Sequence, residues 1–86
     1  MPIKLHAREH DHLEQNAVIG GQVMRALGQP GDLHRVEVRP LREDHYRVNV
    51  LVGPDAASVR VAHSYFLVTD GEGTILAATP AITRRY

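Results

Sequence analysis

The sequence predicts an α+β domain: an N-terminal amphipathic helix packed on a four-stranded antiparallel meander, in the order α-β-β-β-β. Three observations lead there. Apolar residues first recur at spacings of three and four, the period changes to two after a Gly-Gln-Pro-Gly break, and each later segment is joined to the next by a short turn. With 86 residues, the chain has room for one core, so residues 1–86 are read as one small domain.

The helix is expected from about Ala7 to Leu27, where Leu13, Ala17, Gly20, Met24 and Leu27 form a stripe with Val23 beside it. Glu9, Asp11 and Glu14 near its start and Arg25 near its end complement the helix dipole. Gly28, Pro30 and Gly31 supply the stop. Each glycine of Gly20-Gly21 costs roughly 1 kcal/mol against alanine inside a helix. The stripe keeps its phase across the pair, which favours close backbone packing there over a kink.

Strands are expected over Leu33 to Arg39, His45 to Val52, Ser58 to Val68 and Thr74 to Thr79. The connections Pro40 to Asp44, Gly53-Pro54-Asp55 and Asp70-Gly71-Glu72-Gly73 are too short for helical crossovers, so neighbouring strands pair antiparallel. In the second strand Tyr46, Val48, Val50 and Val52 share the face turned to the helix. In the third, Val59, Val61, His63, Tyr65 and Leu67 alternate with Arg60, Ala62, Ser64, Phe66 and Val68. Polarity is clear at the start of that strand and lost by its end.

The stretch from Tyr65 to Val68, apolar on both faces, and Ile75 to Ala78 after it call for either a strongly curled sheet or a second protomer. Tyr65, Phe66, Leu67, Val68, Ile75 and Leu76 are therefore the expected interaction surface.

Ten cationic and ten anionic side chains cancel, leaving no global field toward nucleic acid or anionic lipid and little repulsion between copies. The absence of cysteine excludes a thiol nucleophile, a disulfide framework and a cysteine zinc site. The chain shows neither a secretory signal nor a membrane-length apolar run, so a cytoplasmic location is expected and no membrane association.

Nine of the ten cations are arginine, and several alternate with apolar residues along the strands. Arg35, Arg39, Arg47 and Arg60 are the candidates for a nucleic-acid face, with Arg42, Arg84 and Arg85 at its margins. Only Phe66 shares the alternation of Arg60 as a stacking aromatic, and Glu37 and Glu43 dilute the charge. Cross-strand Arg–Glu pairing on a solvated face is the preferred reading.

His6 and His10, with His12 and Glu14 nearby, have helical spacing for a metal, but a solvated helix start explains them without one. No metal site and no cofactor is assigned. His63 could act as a general base beside Tyr65, Tyr46 or His45, yet no nucleophile or carboxylate partner can be derived, so no catalytic residue is assigned. The Asp70-Gly71-Glu72-Gly73 segment lacks the ligand series of a calcium loop, and Gly20-Gly21 lacks the lysine and preceding strand of a phosphate loop.

The sequence thus favours a non-enzymatic interaction module, a homodimer or the binder of a protein partner. The alternatives are nucleic-acid binding through the arginine face and a small-molecule or weakly enzymatic site around His63 and Tyr65.

Overall fold

The computed structural model describes residues 2–86, with side chains from Glu14 onward. The elements are α1 (Pro2–Leu27), β1 (Leu33–Arg42), β2 (His45–Val52), a 3-10 turn (Ala56–Ser58), β3 (Arg60–Thr69) and β4 (Ile75–Thr79). Neighbouring strands pair antiparallel in the order β1-β2-β3-β4, which is the α+β meander read from the sequence.

One stripe of α1 and the inner face of the sheet make the core. Ile19, Val23 and Leu27 pack on Tyr46, Val48, Val50 and Val52 of β2 and on Tyr65 and Leu67 of β3. The helix is rotated from the expected stripe, with Ile19 and Val23 buried, Ala17 exposed and Met24 half-buried. The side chain of Leu13 lies outside the described residues. Two apolar rows run along α1 and share Gly20 and Leu27, and the β-branched row fits the valine surface of β2.

Gly20 is where the helix meets β1. A Cβ there would lie 3.5 Å from Val38 Cγ2 and 3.7 Å from Val36 Cγ1, ordinary contact distances, and the helix continues unbroken through the pair. Gly21 sits on the half-exposed flank.

Two polar devices fix the C-terminal half of the helix against the rest of the fold. The Gln22 amide donates to the Gly73 carbonyl at 2.7 Å and accepts from the Ile75 N–H at 3.1 Å, so one side chain satisfies two backbone groups beside the β3–β4 turn. Just beyond it, at the helix C-terminus, the Gly28 N–H bonds the Met24 carbonyl at 2.8 Å with φ at 88°, closing the helix in the left-handed conformation. The Leu27 carbonyl then accepts from Arg85 N–H at 2.8 Å and Tyr86 N–H at 3.2 Å, which ties the last residues to the helix end.

The Asp70-Gly71-Glu72-Gly73 turn is built as expected for a hairpin: Asp70 Oδ1 accepts from Glu72 N–H and Thr74 N–H, both at 2.9 Å. β1 runs further than expected, to Arg42. Pro40 is tolerated because β1 is an edge strand.

β3 carries the main departure from simple alternation. Val50 faces His63 but Leu51 faces Val61, so Ala62 is an extra residue, a bulge that reverses the phase of everything before it. Val61 consequently turns outward, while Arg60 stands in register with buried Val52 on the helix side at the sheet's end.

Two stability outcomes follow. Gly28→Ala is expected to lose about 1–3 kcal/mol, since its Cβ would fall 2.5 Å from the Tyr86 carbonyl oxygen and its φ is left-handed, whereas Gly20→Ala should gain up to about 1 kcal/mol; urea unfolding of both variants measures the difference. Thr69 is buried and its hydroxyl has no partner among the described residues, so Thr69→Val is expected to raise stability by about 1 kcal/mol in the same assay.

Candidate functional site

Two surfaces stand out once the register is known: the sheet face away from the helix, and a cleft where the C-terminal segment passes β3. The outer face is ordered in rows across the strands. Arg39, Arg47, Phe66 and Thr79 form one row, and Glu37, Asn49 and Ser64 the next. His45, Val68 and Ala77 lie to one side of these rows, with Arg35, Leu51 and Val61 to the other.

No element covers this face among the described residues. Phe66 is 49% exposed and Leu76 64%, with Val61 and Val68 open beside them. Of the six residues expected at an interaction surface, Phe66, Val68 and Leu76 face solvent. Tyr65 and Leu67 are taken by the core and Ile75 packs against it, because alternate residues of β3 and β4 must point under the helix.

The arginines divide as well. Arg35, Arg39 and Arg47 share the outer face, and the bulge at Ala62 removes Arg60 from it. Arg35 donates to Glu37 at 2.7 Å along its own strand, so the Arg–Glu pairing expected across strands runs along one instead. Arg39 and Arg47 are direct neighbours, a like-charge pair that costs stability unless each finds another partner. Arg47 does: its guanidinium lies 4.6 Å from the Phe66 ring centroid. In the next row Ser64 Oγ donates to Asn49 Oδ1 at 2.6 Å.

The cleft holds about 270 Å³ between residues 62–65 of β3 and Pro80, Ala81, Thr83 and Arg85 of the C-terminal segment. His63 is its central group. Its imidazole lies parallel to the Tyr65 ring with centroids 6.3 Å apart, meets the Tyr86 ring edge-on at 5.6 Å, and places Nε2 2.8 Å from the Tyr86 hydroxyl. Burial, and then the Arg85 charge, push the imidazole below its ordinary value, so it is neutral near pH 7. Burial raises the Tyr65 phenol, Arg85 opposes that rise and Tyr86 adds to it.

Neither of the other companions considered for His63 reaches it. His45 lies on the outer face and bonds the Glu43 carbonyl through Nδ1 at 2.7 Å, while Tyr46 is buried opposite Leu67. No Asp or Glu among the described residues lines the cleft, so among them an acid–base relay through His63 has no carboxylate to orient it. What the cleft offers is a neutral aromatic wall and one cation.

Arg85, Thr83 and Tyr86 enter the cleft from a segment that shows no period in the sequence. Ile82, which packs on the core, is its apolar anchor, beside the backbone bonds of Arg85 and Tyr86 to Leu27. The His6 and His10 side chains of the metal reading lie outside the described residues. No group of three or more metal-ligating side chains occurs among the described residues. No described helix is long and apolar enough to cross a membrane.

No protein-family model, no curated protein and no solved structure matches the chain, so function is argued from this geometry.

The lowered His63 value has a measurable consequence. Between that value and the unfolded value near 6.5 the unfolded chain binds more protons, so stability rises with pH across this window and is fully present above it. His63→Gln removes this contribution. Urea midpoints at about pH 5 and about pH 7.5 should differ less in the variant than in the wild type; equal differences would show that His63 carries no linkage.

Proposed function

We propose that the protein is a non-enzymatic self-association module of the cytoplasm, a homodimer formed by packing the outer sheet faces of two copies. The observation that carries this reading is the apolar side-chain set of Phe66, Val68 and Val61 on a face that no described element covers, with exposed Leu76 at the register shift of β4 beside them.

A second copy is the occupant that the surface fits best. The apolar half of the face lies on β3 and β4, and the cationic half on β1 and β2, so a two-fold contact centred on β3 has an apolar middle and a charged rim. Zero net charge leaves little to hold two copies apart. Four strands at about 4.8 Å spacing and about 26 Å length give a projected face of roughly 500 Å². Side-chain relief brings this toward the roughly 800 Å² per partner of a standard interface.

The cysteine-free composition is compatible with a reducing compartment. The Arg47–Phe66 contact, beside Arg39, which forms no ion pair among the described residues, is the feature that would serve a single-stranded nucleic acid.

Light scattering on a size-exclusion column separates these readings. The wild type is expected at dimer mass at low and high salt, and Phe66→Asp, which changes a half-exposed side chain, at monomer mass with an unchanged circular dichroism spectrum. A wild-type monomer that co-elutes with an oligonucleotide only at low salt would transfer the function to the arginines. Leu67→Asp should instead unfold the chain, because Leu67 is 1% exposed.

A further inference from the structure

β3 is longer than the strand that covers its edge. It runs from Arg60 to Thr69, but β4 pairs only with Phe66 to Thr69, leaving residues 60–65 bonded to β2 on one side and to no strand on the other. β4 ends at Thr79 and the chain leaves the sheet at Pro80, which has no N–H to continue the ladder. The following residues stand off from β3, since the backbone of Arg85 and Tyr86 bonds to the Leu27 carbonyl of the helix. The gap between them is the 270 Å³ cleft.

We propose that this cleft is a strand-addition site for an extended peptide segment bearing a carboxylate, which pairs with the open edge of residues 60–65 and places its carboxylate on Arg85. In an antiparallel ladder alternate residues turn both N–H and C=O to the same side, so about half of residues 60–65 present unpaired backbone groups toward the cleft. An added strand satisfies them, the recurring basis of β-augmentation.

The charge of the cleft selects the anionic group. Arg85 is exposed and forms no ion pair among the described residues, and no acidic side chain lines the cleft to compete for it. Ala62, Pro80 and Ala81, with His63 and Tyr65, leave space beside that cation for one or two small side chains, and Ser64 and Thr83 add polar lining. The volume lies just under the roughly 300–1,000 Å³ of sites for drug-sized ligands, which fits a short segment. This inference rests on the strand edge and not on the outer face, so it stands or falls independently of the dimer.

The test is an amide NMR titration of the full chain with the acetylated tetrapeptide Thr-Val-Thr-Val carrying a free C-terminal carboxylate. Shifts are expected at residues 60–65 and 80–85, with slowed hydrogen exchange in the former. The C-terminal amide of the same peptide should bind at least tenfold more weakly to the wild type. Arg85→Gln, an exposed change, should bind acid and amide alike. Two further peptides, N-methylated at alternate residues in opposite phases, test the backbone pairing without altering the protein: one of them should lose binding. The proposal is overturned if both N-methylated peptides bind like the parent, if acid and amide bind the wild type equally, if shifts centre on β1 or β4, or if millimolar peptide gives no shifts.

Discussion

The contact between the stripe of α1 and the middle of the sheet sets the terms for every other part of the molecule. A helix about 10 Å across cannot cover a four-stranded sheet about 19 Å wide. Burial follows that limit. Val48 and Val50 in β2 are fully buried, whereas Val36 and Val38 in β1 and Ile75 and Ala78 in β4 are only partly so. The sheet margins need other fasteners, and the chain supplies them with polar groups. Gln22 bonds the backbone beside the β3–β4 turn, and the Leu27 carbonyl holds the C-terminal segment. The same limit leaves the outer face bare, because the one helix is already committed to the inner face.

The order of the elements was legible because each depends on local chemistry. Gly28 and Pro30 end the helix, Tyr46 to Val52 alternates without interruption, and Asp70 to Gly73 carries its own side-chain-to-backbone bonds. What was not legible turns on phase. Ala62 leaves no compositional mark as a bulge, yet it reverses the faces of Arg60 and Val61 and so removes one member of the arginine face. In the helix, two rows of apolar residues share Gly20 and Leu27, and only the shape of the opposing valines selects Ile19 and Val23. The cleft was half legible. His63 and Tyr65 could be singled out on the strand, but the wall facing them comes from a segment whose position depends on a bond to a helix end more than fifty residues earlier.

These departures have a common consequence for the site. Moving Val61 outward adds an apolar residue beside Leu51 at one end of the outer face, while Phe66, Val68 and Ala77 lie toward the other. The polar Asn49–Ser64 pair sits between them, its hydrogen bond made within the chain, so a covering layer need not supply a partner for Ser64 Oγ. The Arg47 guanidinium sits over the Phe66 ring and shields part of it, while the Arg47 side chain stays exposed. A face so arranged tolerates solvent and can still be buried at little desolvation cost.

Magnitudes show why burial of that face matters to so small a domain. A chain of this length has a net stability of roughly 4–13 kcal/mol. Each 100 Å² of apolar surface removed from water contributes about 2.5 kcal/mol. Covering some 200 Å² of Phe66, Val68, Val61 and Leu76 per copy would therefore contribute about 5 kcal/mol before the cost of association, a quantity comparable to the whole stability of the isolated fold. The orphaned Thr69 hydroxyl and the adjacent Arg39 and Arg47 charges draw on the same small margin. A sheet covered on one face only would gain more from pairing than a fully covered one does, and in the proposed dimer folding and association would be linked quantities.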